Sequence, residues 1–157
     1  MRRHHTRRTV LRTTVGLAAA TTGLAALAGP AAAHFPKELE IDVKPGNDRN
    51  PINPRNRGVT TVAVVATDTF DPTDEDVRYR FGSPEILEGG GGAHPVHHRV
   101  HDVDGDGHDD LVLRFRTAEA GFDHGDTEAE LRWDRDETRE HGLSGRDGIR
   151  TVGGGRR

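Results

Sequence analysis

The chain has 157 residues, 31% of them charged, with a formal net charge of −4, ten histidines and no cysteine. The lack of cysteine excludes a thiol nucleophile, a cysteine-ligated zinc, an iron–sulfur cluster and disulfide stapling, so core packing and bound ions must hold the fold. No basic stripe or aromatic platform runs along the sequence, which speaks against nucleic acid as a partner.

Residues 1–33, MRRHHTRRTVLRTTVGLAAATTGLAALAGPAAA, have the layout of an export signal: a basic start, an apolar middle and small residues at the end. Thr6-Arg7-Arg8-Thr9-Val10-Leu11-Arg12 resembles a twin-arginine signal, and cleavage after Ala33 would leave His34 as the new N-terminus. The apolar run from Thr13 to Ala28 is shorter than the roughly 20 residues a spanning helix needs, so no membrane span is expected in the mature form. Removing the signal's five arginines leaves 17 basic against 26 acidic residues, a net charge of −9. Only Lys37 and Lys44 are lysines, and an acidic surface that uses arginine over lysine suits a salt-adapted, extracellular or cell-surface protein.

From residue 34 to 152 the dominant signal is alternation of apolar and polar residues, broken by Gly, Pro, Asn and Asp. Leu39-Ile41-Val43, Val77-Tyr79-Phe81, Leu111-Leu113-Phe115 and Thr127-Ala129-Leu131-Trp133 each occupy every second position, as half-buried strands do. Val59 to Ala66 is nearly continuous and β-branched, the pattern of a central strand covered on both faces. Weaker strands are expected at Val96 to Val103 and Ile149 to Val152. Segments 45–58, 67–75, 84–95 and 134–147 read as loops, and residues 153–157 as a flexible tail. About seven short antiparallel strands in one domain predict an all-β, immunoglobulin-like sandwich.

One loop carries chemistry. In DVDGDGHDDLVLRF, Asp102, Asp104 and Asp106 stand at positions 1, 3 and 5 of a D-x-D-x-D-G calcium loop, with Gly107 at position 6. His108 at position 7 would give its backbone carbonyl, and Asp110 at position 9 a carboxylate, directly or through water. Position 12 is Leu113, where an EF-hand has its bidentate glutamate, and the Leu111-Leu113-Phe115 alternation sends this loop into a strand rather than a helix. The remaining ligands must come from water or from another segment, with Asp48, Asp123, Asp126 and Glu128 available.

The stretches IDVKPGNDRNPINPRNRGVTTVAVVATDTFD (41–71), VRYRFG (77–82), HDVDGDGHDDLVLRFRTAEAGF (101–122) and GDTEAEL (125–131) resemble a family of exported prokaryotic domains. Its members open on "IDIKPGS-PNPINP-S-GV-PVAILGT--FD" and finish on "DVNGDG--DLVLHF-T---G---GDTEA-L-G". The resemblance implies a calcium-type loop on a β-sandwich in an extracellular protein with no assigned reaction, and it makes Asp126, within the GDTEA element, the first choice for the missing ligand. Thr61 replaces the usual proline, and Gly89 to Gly92 reads as an insertion.

Catalytic signals are thin. Ser83 and Ser144 are the only serines, and GLSGR is not a G-x-S-x-G elbow. His94, His97, His98 and His101 raise a zinc or copper alternative, as does His34, whose freed amine and imidazole would chelate copper. Strand geometry opposes the cluster, because His97 and His98 would face opposite ways and His97 and His101 would stand about 13 Å apart. The expectation is a secreted, non-catalytic calcium module with a binding, adhesion or structural role toward an extracellular protein, polysaccharide or envelope component.

Overall fold

The alternating segments pair edge to edge, and their phase decides which side chains enter the core. The computed structural model describes residues 34–153. Strands β1 (Glu40–Val43), β3 (Val59–Val65), β6 (Asp110–Arg116) and β5 (Pro95–His101) form an antiparallel sheet in the order β1-β3-β6-β5. Strands β4 (Tyr79–Gly82), β7 (Glu128–Asp134) and β8 (Gly142–Gly148) form a second, in the order β4-β7-β8. Lettered A to G along the chain, these seven strands give sheets A-B-E-D and C-F-G, the constant-type immunoglobulin arrangement. A short parallel pair, β2 (Pro51–Ile52) with β9 (Arg150–Thr151), ties the long loop after β1 to the end of the chain. The expected all-β sandwich is the observed one.

Between the sheets, Val62, Val64, Leu113 and Phe115 meet Tyr79, Phe81, Ala129, Leu131 and Trp133, all buried. Phe81 packs on Phe115 and Phe122 with ring centroids 5.1 and 5.6 Å away, and Phe70 meets Trp133 edge-on at 5.4 Å. The indole N–H, which burial would otherwise strand, donates to the Asp76 carbonyl at 3.0 Å.

Two expected loops hold regular structure. Segment 84–95 begins with helix α1 (Pro84–Glu88), capped by the Ser83 hydroxyl, which accepts from the Ile86 N–H at 3.3 Å, with Pro84 in the first turn. Segment 134–147 contains most of β8, whose sequence GLSGRDG lacks strand-forming side chains. Close approach explains its glycines: a Cβ on Gly142 would run into the Trp133 carbonyl oxygen, and one on Gly145 would sit 2.5 Å from the Leu39 carbonyl oxygen. The seventh sandwich strand is therefore β8, and segment 149–152 supplies only the short β9. Gly145→Ala should destabilise the domain by about 1 to 3 kcal/mol, since the obstructing atoms are backbone. Urea unfolding checks this through a lowered midpoint at unchanged slope, and an unmoved midpoint would contradict the close-approach argument.

The outer face of the β4-β7-β8 sheet is a closed ionic ladder. Arg80 grips Asp134 two-pronged at 2.8 and 2.6 Å with both groups buried, and Glu130 accepts from Arg132 at 2.6 Å and Arg146 at 2.7 Å. Arg132 and Arg146 reach further to Glu88 and Glu128. Phe35 covers the ladder, its ring 4.5 Å from the Arg132 guanidinium and 5.8 Å from that of Arg80.

The signal sequence and its cleavage point at residues 1–33 lie outside the described residues, as do positions 154–157 of the tail. Among the described residues no helix is long and apolar enough to cross a membrane.

Candidate metal site

Because β5 and β6 are antiparallel neighbours, residues 102–109 between them form a hairpin loop at one end of the four-stranded sheet. Gly105 and Gly107 take φ of +75° and +90°, conformations that glycine adopts without a Cβ penalty, and these turns fold the loop back on itself. The Asp102 carboxylate accepts from the N–H groups of Gly105 at 2.8 Å and Gly107 at 3.0 Å. Asp104 accepts from the Asp106 N–H at 3.2 Å, and Asp106 from the His108 N–H at 2.8 Å.

The consequence is convergence. Asp102, Asp104 and Asp106 each place a carboxylate oxygen within 4.8 Å of the other two. Two oxygens bound to one calcium at about 2.3 to 2.6 Å can be at most roughly 5 Å apart, so this spacing fits a shared ion. Each carboxylate has about four lone-pair sites, and the backbone bonds leave part of that capacity for a cation. An all-carboxylate donor set is hard, which suits calcium or magnesium better than copper or zinc. The electrostatics register the crowding: the Gly107 N–H above all holds the Asp102 carboxyl below its usual value. Asp104 is pushed upward, by partial loss of solvent and then by its Asp106 and Asp102 neighbours.

The other expected ligands are placed differently. Asp110, fully buried as the first residue of β6, accepts from the Ala66 N–H at 2.8 Å through one oxygen and from the Val103 N–H at 3.0 Å through the other. It lies outside the converging triad and clamps the base of the loop to the end of β3. His108 is exposed, with Nδ1 3.6 Å from an Asp106 oxygen. Asp126 closes its own turn by accepting from the Asp123 N–H at 2.9 Å, and the structure does not bring it to the triad. His94, His97, His98 and His101 are exposed along β5 and its approach, and His34 is exposed ahead of β1. Among the described residues none of these histidines joins a group of three potential metal ligands.

Asp110's place at the start of a strand was open to sequence reasoning, whereas its bonds to Ala66 and Val103 were not. It directly precedes the Leu111-Leu113-Phe115 alternation, so it belongs to the strand as much as to the loop. Comparisons with family models, curated proteins and solved structures give no match to this chain.

Proposed function

We propose that the chain is an exported, non-catalytic binding module whose 102–109 loop holds one calcium ion. The observation that carries this reading is the convergence of Asp102, Asp104 and Asp106 over two positive-φ glycine turns. These three carboxylates and the His108 carbonyl are the proposed protein ligands, with Asp110 fixing the loop to the sheet beneath them and water filling the remaining positions. Bound calcium would offset two of the triad's three negative charges, and the β5–β6 hairpin would then be held from its loop as well as from its strands. Both serine hydroxyls are engaged with backbone, Ser83 donating to Gly121 at 3.1 Å and Ser144 to Phe35 at 2.9 Å, which supports a role without a nucleophile. The export signal and the resemblance to exported prokaryotic domains support an extracellular or cell-surface location.

The test is calorimetric titration of calcium into chelator-stripped protein. One equivalent should bind in the roughly 10⁻⁴ to 10⁻³ M range of extracellular modules, and Asp104→Ala or Asp106→Ala should remove most of the heat. The absence of binding at millimolar calcium would overturn the reading, as would one tightly held equivalent of copper or zinc.

A further inference from the structure

The two sheets treat their outer cations in opposite ways. On β4-β7-β8, Arg80, Arg132 and Arg146 each hold a carboxylate. On the other sheet, Arg99 of β5 and Arg114 and Arg116 of β6 are exposed and make no ion pair among the described residues. Arg114 and Arg116 alternate with core-facing Leu113 and Phe115, which sets them on the outer face. The register then places β5 side chains beside them: His97 opposite Arg114, Arg99 opposite Val112 and His101 opposite Asp110. Residues far apart in sequence thus assemble one cationic face in a chain that carries 26 acidic residues against 22 basic ones.

Acids to neutralise these arginines are plentiful, yet few stand here. A groove of about 580 Å³ crosses this face, with Thr61 and Val112 among its lining. Arg99 and His101 border it, as does the loop beginning at Lys44, and among the described residues no acidic one lines it. Lys44 is fixed in place, its Nζ donating to the Pro51 carbonyl at 2.6 Å. Asp42, opposite Ala63, and Glu40, opposite Val65, both on β1, are the acids at the far edge of the same face.

We propose that this face binds an anionic polysaccharide, with Arg99, Arg114 and Arg116 as its principal contacts. Guanidinium forks recognise carboxylate and sulfate oxygens in pairs, and unpaired ones need not first be released from a partner in the same chain. Alternate residues of a strand stand roughly 7 Å apart, so the face offers repeated charges to a linear polymer instead of one deep pocket. Among the described residues the exposed large apolar side chains are valines and one isoleucine, with no aromatic among them. Single-stranded nucleic acid therefore finds no stacking platform, and a protein partner finds no aromatic anchor for an interface core. The proposal gives a partner class to the binding-module reading but does not depend on calcium.

The experiment measures binding of the purified chain to immobilised dextran sulfate and hyaluronate, in calcium and in chelator, with neutral dextran and single-stranded DNA beside them. Binding to one or both anionic polymers, weakened by salt and absent on dextran, is the expected result, and comparing the two separates sulfate from carboxylate recognition. Replacing Arg99, Arg114 and Arg116 together by glutamine should weaken it at least tenfold, while Arg135→Gln, in the turn between β7 and β8, should leave it within twofold. Since the three arginines are exposed, the melting temperature of the triple variant should match that of the parent. Four results would overturn the proposal: no polyanion binding, equal binding by the triple variant, tighter binding of DNA, or self-association of the chain that the triple variant abolishes. Loss of calcium binding with polymer binding intact would count against the calcium site alone.

Discussion

Asp134→Ala should cost the domain about 3 to 5 kcal/mol, the largest effect expected of any single substitution outside the aromatic core. Asp134 accepts two charge-assisted bonds from Arg80, and the two side chains are only 5% and 2% exposed. Removing the carboxylate leaves a buried guanidinium whose other bond, from Nη1 to the Gly91 carbonyl, is long at 3.4 Å. Phe35 lies on one side and the sheet on the other, so water has little access to restore the lost solvation. Chemical denaturation measures the loss, and a fall in melting temperature of roughly 10 to 20 °C accompanies it. Replacing both partners, as Arg80→Met with Asp134→Leu, should recover most of the stability, because an apolar pair carries no desolvation penalty. A single variant within about 1 kcal/mol of the parent would show that water reaches Arg80.

How far the sequence could be read follows from what kind of signal each element leaves. The strands with large side chains announce themselves, since Phe115 and Leu131 alternate with charged neighbours, Val62 and Val64 sit in a nearly continuous β-branched run, and all four end in the core. β8 leaves no such signal. Its glycines answer to the Trp133 and Leu39 carbonyls on neighbouring chain segments, and that constraint exists only after the sandwich has closed. The aspartate triad was legible because its spacing is local, contained in a single loop. Asp126 was assigned by resemblance and Asp110 by loop position, and neither criterion reports where a carboxylate points. The cationic face was invisible for a third reason: Arg99 and Arg114 are fifteen positions apart, and only the β5–β6 register makes them neighbours. A chain read along its length shows no basic stripe, whereas one sheet face read across its strands does.

Calcium should raise the melting temperature, and the response of two classes of aspartate should separate ligation from scaffolding. An ion that binds the folded chain and not the unfolded one stabilises by mass action, about 2.7 kcal/mol at 100 times its dissociation constant. In a domain of this size that is roughly 10 °C. Asp104 and Asp106 are exposed and bond only within their own loop, so Asp104→Ala and Asp106→Ala should leave the melting curve in chelator nearly unchanged. Each should nonetheless remove most of the calcium-dependent rise. Asp110→Ala should behave in the opposite way. It strands the Ala66 and Val103 N–H groups, which lowers stability in chelator by about 2 to 4 kcal/mol. Part of the calcium-dependent rise should survive in that variant, because the triad is formed by the loop's own turns. His108→Ala should retain the full rise, since the backbone carbonyl is what that residue offers. Parent protein shown to be metal-free whose melting is indifferent to calcium would reduce the triad to an acidic turn. If instead Asp110→Ala leaves the chelator baseline untouched while abolishing the calcium response, Asp110 is a ligand and its clamp on Ala66 opens when the ion enters.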